Sequence, residues 1–280
     1  KIIDGLEKIT GQAQYPADLN LPGLLHLRPV LSPYPHARIA GMEKEAALAL
    51  PGVVAVLTGA DLNGGRVAHS RSNMLLAGDE VKFAGQPVAV VVAETEAQAA
   101  DGAALLDITY DPLDSVDDAT AALDDAVLVW PDGMPRPDTI MASLHGGSAS
   151  EEEQRAPSNL HQRQEFKRGD AGKALAQAHT VIERTFSTSR VHQSYLEPHA
   201  VVAQPGVKQG EVTVYTSTQG QYVVRSEVAG ALGLQERDVH VVPLKVGGGF
   251  GAKYGLIDPL VAAVALKLRR PARLVLTRTE

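Results

Sequence analysis

Five glycines fall within nine residues, Gly247-Gly248-Gly249-Phe250-Gly251-Ala252-Lys253-Tyr254-Gly255, directly after the β-branched run Val239 to Val246. Asp258 as N-cap and Pro259 at the first helical position then open a helix reaching Leu268. So much glycine cannot sit inside either element, so the run must be the loop that joins strand to helix. Bare backbone also lets a ligand come within hydrogen-bond distance of N–H groups. Three readings compete. A phosphate-binding P-loop needs Gly-Lys-Ser/Thr, and Ala252-Lys253-Tyr254 stands in that place, so it is rejected. A dinucleotide fingerprint is formally met by Gly247, Gly249 and Ala252, but no acid follows between Pro259 and Thr279 to hold the ribose. A ligand-free tight turn satisfies the same residues.

The rest of the chain divides around an acidic stretch. Between Leu123 and Pro157 stand seven acids against Arg136 and Arg155, which accounts for five of the seven net negative charges of the whole chain. Pro131, Pro135, Pro137, Pro157 and the run Gly146-Gly147-Ser148-Ala149-Ser150 break any helical or strand period there. An extended, solvated linker is expected. This separates a front unit, residues 1–122, from the linker, 123–157, and a back unit, 158–280.

In the front unit the pattern predicts strands at Gly23 to Val30, Val53 to Leu57, Pro87 to Ala93 and Asp107 to Tyr110. The Pro87 run is apolar on both faces and so central in its sheet. Helices are expected over Glu43 to Leu50, stopped by Pro51-Gly52, and after Thr95, where Gln98 completes a capping box. His26, His36 and His69 lack partners at workable spacing and read as structural or surface residues. In the back unit strands are expected at Thr180 to Phe186, His199 to Gln204, Glu211 to Ser217, Val239 to Val246 and Ala272 to Thr277. The turn from Pro205-Gly206 to Gln209-Gly210 makes the second and third of these a hairpin. Gln219 stands at the start of a helix with Val224, Val228 and Ala231 on one face, ended by Gly233. The fold class is α+β.

Composition narrows the function classes. Twenty-six basic residues against thirty-three acids argue against an electrostatic nucleic-acid binder. No apolar run approaches the roughly 18 residues that would span a bilayer, and no apolar stretch of signal-peptide type opens the chain. The chain has no cysteine, so disulfides, thiolate zinc sites and iron–sulfur ligation are outside its own chemistry. A cytoplasmic location fits this pattern.

The glycine loop Gly247 to Lys253 resembles the GGGFGxK loop of the molybdenum hydroxylases: xanthine dehydrogenase, aldehyde oxidase and the carbon monoxide dehydrogenase large chain. Other segments agree in order. Lys8 to Asp18 resembles the opening K-x-T-G-x-A-x-Y-x-x-D, and Ser32 to Ile39 the turn S-P-x-x-H-A-x-I. Gly85-Gln86-Pro87-Val88-Ala89 resembles G-Q-P-V-A, Leu196-Glu197-Pro198 resembles L-E-P, and Ser217-Thr218-Gln219 resembles S-T-Q. The resemblance implies an a/b hammerhead domain in front and the first part of a molybdenum-cofactor-binding domain behind.

It also implies a molybdenum–pyranopterin cofactor, in bacterial members often the cytosine dinucleotide form. The implied chemistry hydroxylates a carbon beside nitrogen or oxygen with water as oxygen source, or oxidises carbon monoxide. Electrons then leave through iron–sulfur and FAD partner domains or subunits. By the same resemblance Gln219 donates its amide to a molybdenum oxygen, and Gly248, Gly249 and Gly251 offer N–H groups and close approach to the cofactor. Phe250 forms the aromatic wall for a small planar substrate. Tyr254 occupies the place where xanthine-oxidising members carry a purine-contacting glutamate, which points to an aldehyde, another N-heterocycle or carbon monoxide. The family's general-base glutamate has no counterpart, and neither Glu197 nor Glu280 is assigned that role. Thr277-Arg278-Thr279-Glu280 reads as mid-domain, so a further C-terminal region or second chain is expected to complete the site. A nicotinamide dehydrogenase using the glycine run, and a metal-free binding or assembly module, are the competing classes.

Overall fold

The computed structural model describes residues 4–64, 75–131, 157–160 and 166–280. In chain order the front half gives α1 (Gly5–Ile9), β1 (Leu25–Leu31), β2 (Ala37–Glu43), α2 (Glu45–Leu48), β3 (Val53–Thr58) and α3 (Gly59–Leu62). It continues with β4 (Glu80–Val81), β5 (Pro87–Ala93), α4 (Glu96–Ala104) and β6 (Asp107–Pro112). The back half gives α5 (Ala171–Gln177), β7 (Ala200–Pro205), β8 (Val212–Thr216), α6 (Gln221–Leu232), β9 (Val239–Pro243), α7 (Asp258–Leu268) and β10 (Ala272–Val275). The result is a mixed α+β chain built on mixed sheets.

The main sheet runs β3-β5-β1-β10-β7-β8-β9, so strands from both sides of the acidic stretch share one ladder. β1 pairs β10 in parallel through Leu25↔Ala272, and β8 pairs β9 in parallel; the other neighbours are antiparallel. β5 is buried along Val88 to Ala93, as a two-faced apolar strand between neighbours must be. α7 has no polar face at all from Leu260 to Ala265, and it lies in the core against β7, β8 and β10. One continuous core joins Leu25, Leu27 and Val90 of the front half to Val201, Val214, Val228, Val261 and Leu274 of the back half. The smaller sheet, β4-β2-β6, closes over Ala37, Ala77, Val81 and Val88.

Several local signals acted as read. Thr95 caps α4 by accepting the N–H of Gln98, and Gly233 ends α6 with φ +63°, a left-handed conformation that suits glycine. Pro259 opens α7, although the cap position falls on Ile257 and Asp258 is the first helical residue. The β7–β8 hairpin closes at Gly206, whose N–H reaches Glu211 O at 2.7 Å.

Four expectations need correction. The helix expected over Glu43 to Leu50 is the single turn α2, because Ala37–Glu43 is taken as strand β2 between β4 and β6. The strand expected at Thr180 to Phe186 is irregular, with Val181, Ile182 and Phe186 between 58% and 89% exposed; no described strand lies beside it to complete a ladder. The strand starting at Val239 stops at Pro243, where the chain turns away and Lys245 pairs with Asp4 and Glu7 of α1. His36 is not isolated: its ring nitrogens meet Glu80 on β4 and the carbonyl of Asp114, which locks the β4 and β6 sides of the small sheet together. His69, and residues 132–156 of the expected extended linker, lie outside the described residues. The near edge of that stretch folds back on Asn159, whose side chain bonds Ala122 O, Val127 O and Val129 N.

Candidate cofactor-binding site

Sheet register alone brings three separate segments to one edge. β8 and β9 are parallel neighbours, so the loops leaving their C-terminal ends, Ser217 to Gly220 and Leu244 to Ile257, emerge side by side. β7 is antiparallel to β8 with Val201 opposite Thr216, so the segment entering β7, Leu196 to His199, arrives at that same edge. The crevice beyond the carboxyl ends of parallel strands is where ligands bind in open α/β sheets.

The three segments are wired to one another. Glu197 Oε2 accepts from Lys253 Nζ at 2.6 Å, from the Gly247 N–H at 2.6 Å and from the Ser217 hydroxyl at 2.7 Å. The Lys253 side chain is fully buried and its ammonium also lies 5.1 Å from the Tyr195 ring centre. The Lys253 backbone turns the other way: its carbonyl accepts from the Gln219 N–H at 2.9 Å and from the Thr218 hydroxyl at 3.1 Å. Gln219 Oε1 in turn accepts the Gly251 N–H at 3.0 Å and the Lys253 N–H at 3.4 Å. The amide's oxygen end is therefore held by the loop, and its NH2 end is the one left for a ligand.

The glycines have distinct tasks. Gly248 and Gly251 take φ of +102° and +92°, where a side chain is strained, and Phe250 between them also lies in the left-handed region at +50°. Gly249 is not in that region; a Cβ there would sit 2.4 Å from Gln219 Oε1, so glycine is needed for close approach. A Cβ at Gly247 would meet the Glu197 side chain at 2.6 Å. Among the described residues the N–H groups of Gly248, Gly249 and Phe250 have no protein acceptor. Successive backbone donors on such alternating turns suit an anionic or oxygen-rich ligand.

Of the residues singled out in the sequence, Gln219, Gly249 and Gly251 are in direct contact. Phe250 is 73% exposed, with its ring against Gly248. Tyr254 is half-buried and stacks on Gly220, where a Cβ would come within 3.1 Å of its ring. Glu280 is spoken for: it pairs with Arg28 at 3.0 Å and accepts from Thr277. Lys253 and Ser217, though inside the quoted motifs, carried no assigned role in the sequence; their partnership with Glu197 exists only in three dimensions. Behind the loop, burial with the Lys253 ammonium nearby pushes the His199 imidazole down to about 4, and burial pushes the Asp258 carboxyl up to about 6. No cluster of three or more potential metal ligands occurs among the described residues. The dinucleotide fingerprint loses its topology as well. β10, which follows α7, is separated from β8 and β9 by the antiparallel β7, whereas a dinucleotide-binding unit places its parallel strands side by side.

Comparison with known proteins finds two family domains in the chain. Residues 10–114 match the aldehyde oxidase and xanthine dehydrogenase a/b hammerhead domain, and residues 152–280 match the molybdopterin cofactor-binding domain. The carbon monoxide dehydrogenase large chain of Hydrogenophaga pseudoflava is 32% identical over 97% of this chain and 34% of its own length. The nicotinate dehydrogenase large molybdopterin subunit of Eubacterium barkeri is 30% identical over 99% of this chain and 60% of its own. The crystal structure of quinoline 2-oxidoreductase from Pseudomonas putida 86 superimposes with a TM-score of 0.81 at 29% identity, over 99% of this chain and 34% of that one. The chain thus spans about a third of the length of most of these relatives. With two family domains in order across it, the chain belongs to the molybdenum hydroxylase family of xanthine dehydrogenases, aldehyde oxidases and carbon monoxide dehydrogenase large chains.

Proposed function

We propose that this chain supplies one wall of a molybdenum–pterin site in an oxidoreductase that hydroxylates an aldehyde or N-heterocycle, or oxidises carbon monoxide. The bound group would supply two-electron oxidation with water as the oxygen source. The observation that supports the reading is the held amide of Gln219 beside three unpaired backbone donors, those of Gly248, Gly249 and Phe250. A neutral amide fixed at its oxygen can donate to an oxygen ligand of the metal without adding charge. The backbone N–H groups can receive the cofactor's oxygens. At Gly251 an added Cβ would meet nothing within 4 Å, so the loop leaves room there for a bulky ring system. Phe250, exposed beside them, offers a face on which a planar substrate can stack. Tyr254 brings no carboxylate to the loop, which favours substrates that need no anionic contact.

The reading extends to organisation. Residues 1–122 would form the hammerhead unit, 123–157 a linker, and 158–280 the first part of the cofactor domain. The remaining cofactor contacts and the general base would come from a further C-terminal region or a second chain. Iron–sulfur and FAD partners would take the electrons, and the pterin would be held as such or as its cytosine dinucleotide.

The direct test is Gln219→Glu in the assembled enzyme. This variant keeps an oxygen for Gly251 and Lys253 but replaces the NH2 donor by a second acceptor. Turnover should fall on the order of 10²–10³, the usual cost of losing one preorganised donor, while molybdenum content and melting temperature hold. Unchanged turnover at unchanged metal content would overturn the assignment.

A further inference from the structure

We propose that Glu197 is a positioning residue: a single carboxylate oxygen closes the 247–253 loop and, through Lys253, sets the orientation of the Gln219 amide. The inference rests on the cofactor reading for its purpose, although not for its geometry. Gly247 and Lys253 stand at the two ends of the glycine run, six residues apart. Both donate to Glu197 Oε2, and Ser217, two residues before Gln219, donates to the same atom. The Glu197 N–H also reaches Gly247 O at 3.2 Å, so the segment entering β7 is tied to the loop by main chain and side chain alike.

Lys253 is the transmission. Its side chain runs inward to the carboxylate with no solvent exposure, while its N–H and carbonyl face Gln219 and bond that residue's side chain and backbone. A shift of the ammonium therefore shifts both contacts that Lys253 makes with Gln219, one to the side-chain amide and one to the backbone.

The pair is not arranged as a stability device would be. Burying two charges costs desolvation that is recovered only when every lone pair is satisfied. Here Glu197 Oε1 is buried without a hydrogen bond among the described residues, while Oε2 collects all three donors. Concentrating the donors on one atom gains little stability but fixes three backbone segments at a common point. Phe250, Gly251 and Ala252, which span the top of the loop, make no hydrogen bond to the carboxylate and inherit their placement from it.

The test uses the purified, assembled protein. Glu197→Asp keeps the charge but shortens the reach by one methylene, so the carboxylate cannot serve both ends of the loop. Amide hydrogen exchange in the peptide covering 247–253 should accelerate about tenfold or more, while residues 258–268 of α7 exchange as in the wild type. Molybdenum per chain should fall with it. Glu197→Gln combined with Lys253→Met removes both charges together and should give the same local loosening if the shorter acid fails to fold. Loop exchange unchanged in the folded variant, or accelerated equally in α7, would overturn the positioning role. A loosened loop with wild-type molybdenum would overturn its link to the cofactor. A wild-type protein without molybdenum would defeat the cofactor reading alone, since the exchange experiment needs no metal.

Discussion

Replacing Gly249 by alanine separates close approach from backbone strain, because the two glycines flanking Phe250 are constrained differently. At Gly249 the added Cβ would lie 2.4 Å from Gln219 Oε1, 2.6 Å from its Cδ and 2.9 Å from its Cγ, while the backbone is outside the left-handed region. The side chain of Gln219 has to swing aside, giving up the bonds from Gly251 N and Lys253 N. At about 0.5–1.5 kcal/mol for each, the loss is roughly 1–3 kcal/mol, within what a folded domain tolerates. At Gly251 the added Cβ meets nothing within 4 Å, but φ is +92°, so the cost is backbone strain of about 1–2 kcal/mol. The two variants should thus lose similar stability by denaturant titration. Their turnover in the assembled enzyme, normalised to molybdenum, should differ. Gly249→Ala displaces the proposed donor and should drop on the order of 10²-fold, whereas Gly251→Ala should stay within about tenfold of wild type. Equal losses, or no loss at Gly249, would refute the argument that Gln219 is placed by contact with this loop.

Other perturbations follow from the buried groups behind the site. The Asp258 carboxyl is raised to about 6, so its stabilising contribution is full below its unfolded value and is lost as pH rises through 6. Asp258→Asn should therefore add up to about 3 kcal/mol at pH 8 and almost nothing near pH 4, read from urea midpoints. The His199 imidazole is lowered to about 4, which works in the opposite sense: its contribution is present above its unfolded value and is lost as pH falls through 4. The two dependences offset each other between about pH 4.5 and 6, so His199→Gln should expose a stability that declines with rising pH there, and Asp258→Asn one that climbs. A flat profile in both variants would contradict the placement of these groups. In α4, Gly102→Ala should destabilise by roughly 1–2 kcal/mol despite the better helix propensity of alanine, since its Cβ would meet Val91 Cγ1 at 2.9 Å and Val53 Cγ2 at 3.1 Å; a stabilised variant would show that the strand gives way.

What the sequence made legible was local chemistry. The Thr95 cap, the turn glycines of the β7–β8 hairpin, Gly233 at the end of α6 and Pro259 at the start of α7 each act through neighbours a few residues away. The Val-rich β5 needs burial on both faces wherever it is placed. β2 was hidden because its small and charged residues form a strand only between β4 and β6, whose paired residues lie 42 or more positions further along the chain. The Thr180 to Phe186 run shows the converse, β-branched residues with no described neighbour to pair with. The candidate site divides the same way. The glycine loop and Gln219 could be picked out as motifs, but the junction of Glu197, Ser217 and Lys253 depends on the register of β7 against β8 and of β8 beside β9. Spacing along the chain carries no trace of it.

The central claim is that the edge formed by Gln219 and the 247–253 loop holds a molybdenum–pterin group. Elemental analysis for molybdenum, together with fluorescence of the oxidised pterin, should be carried out on the assembled protein and on its Gly249→Val variant. The wild type should contain both in stoichiometric amount, and the variant, folded by circular dichroism, should contain little of either. A folded and fully assembled wild-type protein without molybdenum or pterin, or a Gly249→Val variant that retains both at the wild-type level, would contradict the account.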